Sequence, residues 1–271
     1  PAPPPASGSV GRGGTGAGNE YSVRGVILAQ AVGDALGVPA EFKSMRAIDE
    51  LWPDPSWPST YQETRRMGSS HWKAGEYSDD TEQAVCVLDA YLEGVAEGRS
   101  PSDTIDLRKV AKNFHHWAAT NGRGMGYHTA KVFEHFLFAL EPKAAALDVW
   151  EQSGRKAAPN GAVMRTAYVG VIRPWDLDWT SEVSAEVART THADPKCVAS
   201  AVAVSVAIAV LASNGEFEQA LDEAAHRADK HDPAAHTWLS KGLAELQLDE
   251  GMHEHVRGKP FPPIGYTYKC L

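Results

Sequence analysis

The chain is poor in cysteine: Cys86, Cys197 and Cys270 are its three, far apart and odd in number. No CxxC pair and no Cys/His zinc spacing joins them, which argues against a disulfide framework and a structural zinc site. Free thiols fit a reducing compartment, and the N-terminus has neither the basic start nor the apolar stretch of a secretory signal, so a cytoplasmic location is expected. Basic residues are outnumbered, 26 Lys and Arg against 35 Asp and Glu, for a net charge of −9. That balance argues against a general nucleic-acid-binding surface. The longest apolar run, Cys197 to Ala212, falls short of the roughly 20 residues a spanning helix needs. Lys196 before it, with Ser200 and Ser205 inside it, mark a buried core helix, and no membrane partner is expected. Sustained period-2 alternation, hairpin dipeptides, a repeat period and an internal linker are all missing, so neither a sheet nor a repeat array is expected.

What is present reads as helix. The 271 residues are 43% hydrophobic and 23% charged, enough for one sizeable core without staples. Residues 1–20 are nearly all Pro, Gly, Ala and Ser, too little apolar surface to offset ordering, and are expected to form a disordered tail. Order is expected from Tyr21, in a single domain over 21–271. The apolar spacing predicts helices over 22–36, 81–97, 103–117, 127–140, 160–172, 195–213, 216–228 and 234–246. Asp194-Pro195 is the strongest start signal, a cap with proline at the first helical position. The fold class is all-α. A long connection over 41–78 carries Trp52, Trp57 and Trp72, and such a loop in a compact helical domain is usually functional.

Five short elements carry chemistry. In Ser78-Asp79-Asp80-Thr81 two adjacent carboxylates repel one another between two hydroxyls, an oxygen-rich group that a Mg²⁺ or Mn²⁺ ion would relieve. The same run also reads as a helix cap with acidic residues in the first turn. Gly33-Asp34-Ala35-Leu36-Gly37 ends a small-residue helix in a turn that presents Glu41. Gly122-Arg123-Gly124-Met125-Gly126-Tyr127 is a glycine-rich loop entering a helix, able to hold phosphate or merely to turn. Asn160 reads as a cap before Gly161-Ala162-Val163-Met164-Arg165. His192 precedes the capped helix in Thr191-His192-Ala193-Asp194-Pro195, where an imidazole can serve a ligand or the core.

Taken together and in this order, the five elements resemble the ADP-ribosylglycohydrolase family over about residues 22–271. The resemblance implies a compact single-domain helical fold with a two-metal centre of Mg²⁺ or Mn²⁺. It makes Ser78, Asp79 and Asp80 metal ligands, and Glu41, with Asp79 and Asp80, the catalytic carboxylates. Gly122, Gly124, Gly126 and Tyr127 would lie around the diphosphate and distal ribose, while Asn160 and His192 line the ADP-ribose pocket. Asp34 and Arg165 fall in matching motifs and are assigned to structure. The implied activity is hydrolysis of the glycosidic bond joining ADP-ribose to a modified acceptor, so the partner is an ADP-ribosylated substrate or ADP-ribose. The alternative is a catalytically silent ADP-ribose-binding or crystallin-like protein. The family's second acidic motif, Asp-x-Asp-Thr, does not follow Ile264-Gly265-Tyr266-Thr267. With Pro1 in place of Met and Cys270-Leu271 at the other end, the expectation is a truncated chain with weak metal binding.

Overall fold

Side-chain caps written into the sequence, at Ser78, Asp106, Asp176 and Asp194, fix where four of the helices begin. A computed structural model describes residues 16–41, 46–47, 50, 72–73, 75–245 and 267, with backbone alone for 16–22 and 241–245. Within them every regular element is helical and the fold is all-α. In chain order the helices are α1 (Gly16–Gly37), α2 (Asp79–Ala96), α3 (Leu107–Thr120), α4 (Tyr127–Phe133), α5 (Pro142–Gln152), α6 (Val169–Ile172), α7 (Leu177–Arg189), α8 (Pro195–Ala212), α9 (Phe217–Ala228) and α10 (Ala234–Glu245). Short 3-10 turns occupy Val38–Ala40 and Val163–Arg165. The Asp194 side chain accepts from Lys196 N ahead of Pro195, as the sequence predicts.

Several boundaries differ from expectation, mostly for visible reasons. Helix α1 begins at Gly16, before the expected onset at Tyr21; nothing in the composition of 16–20 explains it. Helix α3 starts at Leu107 because Asp106, rather than Asp103, accepts from the first free amides, those of Arg108 and Lys109. Asp103 instead accepts from Ser100 N in the preceding turn. Helix α4 stops at Phe133, well before Leu140. There His135 Nδ1 takes the N–H of Leu137, and Phe138 turns into the core with its ring 4.8 Å from that of Phe133. The expected helix over 160–172 is broken into the 163–165 turn and α6; Ser205 Oγ claims the Thr166 carbonyl at 2.8 Å. Helices α5 and α7 went unread, although Pro142 at a helix start and the Asp176 cap announce them.

Helix α8 is the centre of the molecule. It is buried on nearly all sides and packs on α6, α7 and α9. Its alanines and valines let neighbours approach closely, so Ala199 and Ala203 meet Ala224, Ala225 and Ala228 of α9. The hydroxyls of Ser200 and Ser205 are satisfied by the carbonyls of Lys196 and Ala201 on their own helix, which removes the cost of burying them. A second cluster joins Val87, Val110, Phe114, Phe133 and Val183 from α2, α3, α4 and α7. Among the described residues, α8 is one of two helices long and apolar enough by composition to cross a membrane, the other lying over Val23–Ala40. Its burial is what a core helix requires.

The closest approach in this core sets a packing test. A Cβ on Gly170 of α6 would stand 2.4 Å from the Ser205 carbonyl oxygen of α8, and a backbone atom cannot swing aside. Gly170→Ala is expected to destabilise the fold by about 1–3 kcal/mol through overpacking, read from urea unfolding. An unchanged midpoint would contradict this packing.

Candidate active site

The site is built where α1 meets the start of α2. Asp34, near the end of α1, accepts four hydrogen bonds from that start. Its Oδ2 receives Ser78 N at 2.9 Å, Thr81 N at 3.1 Å and Thr81 Oγ1 at 2.7 Å, and its Oδ1 receives Ser78 Oγ at 2.7 Å. Ser78 is also the N-cap, accepting from Asp80 N at 3.4 Å. The acidic run is therefore both a cap and an acidic centre. Gln30 of α1 adds bonds to the carbonyls of Asp80 and Met164, at 3.1 and 2.9 Å. One turn along α2, Glu82 accepts from Trp117 Nε1 and Asn121 Nδ2, which fixes the end of α3 from which the glycine loop departs.

Asp79, Asp80 and Glu41 converge at one end of a cavity of about 750 Å³, within the usual range for small-molecule sites. Burial, then the charges of Asp80 and Glu41, push the Asp79 carboxyl up to about 8. Burial, then Asp34, raises Asp80 to about 6. Glu41 keeps an exposed edge, yet burial and then Asp80 and Asp34 hold it above the ordinary carboxylate range. Gln83 Nε2 donates to Asp79 Oδ2 at 3.3 Å, weak relief for a carboxylate only 7% exposed. Among the described residues no group of three His, Cys, Asp or Glu side chains is placed to hold a metal ion. Ser78 is buried behind the run and does not line the cavity.

The three motif glycines of the loop do different jobs. Gly124 has φ +89, and a Cβ there would lie 2.4 Å from Asp79 Oδ1; only glycine lets the loop close over the carboxylate. Gly122 has φ +57 with its Cβ direction blocked by the Ala118 carbonyl. It turns the chain after α3 and stays off the cavity wall. Arg123 steadies the loop by lying 3.9 Å above the Trp72 ring and pairing with Glu76 at 2.9 Å. Gly126 lines the cavity and Tyr127, 66% exposed, stands at its rim. Asn160 and His192 also line the cavity, and Gly161 lies against the His192 ring. Trp52 and Trp57 lie outside the described residues.

Sequence reasoning missed part of the cavity wall. His128, Thr129 and Lys131 of α4, with Gln152 and Ser153 at the end of α5, also line the cavity. The His128 ring lies 4.7 Å from that of His192, and its Nε2 is 3.0 Å from the Thr191 carbonyl. Burial holds both imidazoles below the ordinary histidine range, His192 well below it. The available signal was the spacing of His128 and Lys131, which puts them on one face of the helix that follows the loop.

Comparison with known proteins covers most of the chain. A family model described as ADP-ribosylglycohydrolase matches residues 17–271. An uncharacterized protein of Archaeoglobus fulgidus is 30% identical over 216 residues, 79% of this chain and 63% of its own. The uncharacterized protein YegU of Escherichia coli K12 is 29% identical over 216 residues, 77% of this chain and 59% of its own. The chain thus spans about three fifths of the length of these curated relatives.

Two outcomes test this geometry. Without divalent cations, stability is expected to fall as pH rises from about 6.5 to about 8. Over that window Asp79 keeps its proton in the folded state, with a value of about 8, and has lost it in the unfolded chain, where 3.8 applies. The folded state therefore loses its advantage as the proton leaves. His128 and His192, held below 6.5, oppose this trend only at lower pH, where protonation favours the unfolded chain. Thermal melts at the two ends of the window check the sign, and a melting temperature that climbs with pH contradicts it. Separately, Gly124→Ala should cost about 1–3 kcal/mol, whereas Gly126→Ala, whose Cβ meets nothing within 4 Å, should cost much less. Equal losses would remove the close approach to Asp79.

Proposed function

The chain belongs to the ADP-ribosylglycohydrolase family, and from that premise we propose that it is a metal-dependent hydrolase. The bond cleaved is the glycosidic link between ADP-ribose and a modified acceptor, a protein side chain or a related substrate. The observation that carries this reading is one cavity lined both by three mutually repelling carboxylates and by Gly124, Gly126, Asn160 and His192.

The donor set suits a hard divalent cation in part. Asp79 and Asp80 offer carboxylate oxygens whose raised values a nearby cation would reverse, whereas the Ser78 hydroxyl is turned to Asp34 and off the cavity wall. Mg²⁺ or Mn²⁺ would be held by the two carboxylates, with further oxygens drawn from water or substrate. Such an ion supplies charge that orients ribose hydroxyls and lowers the pKa of a bound water. The protein's own groups do the rest. Departure of the acceptor from ribose C1″ passes through an oxocarbenium-like state. Glu41, whose carboxyl is raised by burial and by Asp80 and Asp34, suits the proton transfer to the leaving group or from the attacking water. The backbone at Gly124 and Gly126, together with Lys131, suits the diphosphate, and Asn160 and His192 suit the ribose-phosphate face.

Release of ADP-ribose from arginine-, serine- or nucleic-acid-linked substrates, with Mg²⁺ or Mn²⁺ present, is the direct assay. Asp80→Ala is expected to abolish turnover, by at least about 100-fold, with no loss of melting temperature at pH 8. Full turnover by that variant with Mg²⁺ would refute the assignment. Calorimetry with ADP-ribose separates the remaining case: tight binding with no release from any substrate identifies a silent binder.

A further inference from the structure

Arg165 is fully buried and does not line the cavity. Its guanidinium sits 4.7 Å from the centre of the Phe114 ring and donates in two directions. Nη1 donates to Gln83 Oε1 at 3.0 Å, and Nη2 donates to Thr191 Oγ1. Gln83 Nε2 goes on to Asp79 Oδ2, and Thr191 Oγ1 lies 2.7 Å from His192 Nδ1. A continuous buried path thus runs Asp79, Gln83, Arg165, Thr191, His192, and both of its ends are cavity wall.

The donor polarity of this path follows from its centre. An arginine only donates, so the Gln83 carbonyl must face it and the Gln83 amide must face Asp79. On the other branch the Thr191 oxygen is already an acceptor, and its single proton has His192 Nδ1 as its remaining partner. Were His192 to carry its proton on Nδ1, the buried Thr191 hydroxyl would have no acceptor, a penalty large enough to select the other form. Neutral His192 therefore holds its proton on Nε2. That atom has no partner among the described residues. A Cβ at Gly161, itself a cavity residue, would stand 3.0 Å from it, so the missing side chain is what leaves room beside it.

We propose that Arg165 is a positioning residue: it fixes His192 as the Nε2–H tautomer and thereby gives the cavity wall a donor for an acceptor oxygen of the ligand. The oxygen is a phosphate, hydroxyl or carbonyl oxygen reaching past Gly161. A histidine proton on Nδ1 would present a lone pair there and repel the same oxygen. The tautomer follows from the hydrogen bonds alone; its consequence for ADP-ribose rests on the function proposed above.

The hydroxyl between Arg165 and His192 is the place to cut, since removing a fully buried arginine threatens the fold. Histidine-¹⁵N-labelled protein, with His192 assigned by loss of its signals in His192→Gln, is compared with Thr191→Val and Thr191→Ser by two-bond ¹H–¹⁵N spectra. The parent protein is expected to show His192 as Nε2–H, Thr191→Ser to keep that pattern, and Thr191→Val to lose it. Calorimetry with ADP-ribose should show affinity falling roughly 10-fold in Thr191→Val and returning in Thr191→Ser. An Nδ1–H tautomer in the parent, or an Nε2–H pattern that survives Thr191→Val, overturns the inference. If the tautomers behave as expected and ADP-ribose binds none of the three proteins, the role of Arg165 stands and the ADP-ribose reading falls.

Discussion

The carboxylate of Asp34 is the constraint on which the site depends. It collects two backbone amides and two hydroxyls from Ser78 and Thr81, residues more than forty positions away in sequence. Hydrogen bonds to an ionised acceptor are stronger than neutral ones, and four of them on one group set the rotation and depth of α2 against α1. That setting points Asp79 and Asp80 at the cavity. Burial is the main cause of their raised values: Asp79 has the Gln83 amide at 3.3 Å, and Asp80 faces a Ser78 hydroxyl whose shorter contact, 2.7 Å, is to Asp34.

A carboxyl raised by burial and by its neighbours marks a place where the fold works against itself. The opposing stability comes from elsewhere in the chain. Helix α8 buries apolar residues around most of its circumference, and the aromatic cluster of Phe114, Phe133 and Phe138 closes the other side of the molecule. Phe114 belongs to both: its ring stacks with Phe133 in the core and also carries the Arg165 guanidinium. The core therefore extends directly under the reactive end of the cavity, where a rigid floor matters for holding three carboxylates against their repulsion.

The features legible in the sequence were those governed by neighbours along the chain. Caps and helix starts at Ser78 and Asp194 could be read because a cap is a local event, and the positions of Asp79, Asp80, Glu41, Asn160 and His192 could be read from short motifs. Features decided across space could not. Gly122 and Gly124 are indistinguishable in the pattern Gly-x-Gly, and only the approach of Asp79 separates a turn residue from a wall residue. Asp34 and Arg165 were expected to be structural, which is what Asp34 is, but nothing local showed that four bonds converge on it. His128 was overlooked for the same reason: its importance comes from a carbonyl at Thr191 and a ring at His192, both distant in sequence. The ends of α3 and α4 shifted where a side chain, Asp106 or His135, intervened in the backbone bonding.

The path through Arg165 changes what the two walls of the cavity are to each other. Asp79 opens α2 while His192 lies in the connection between α7 and α8, and in an apolar core they could drift apart independently. Here each displacement at one end must stretch or break a bond to a buried cation whose hydrogen-bond partners have no water to replace them. The acidic end and the imidazole wall are therefore braced at a fixed separation, while the rim around Tyr127 stays exposed. A ligand long enough to touch both walls meets a preorganised span, and the ordering that such a ligand would otherwise have to impose has already been supplied by folding.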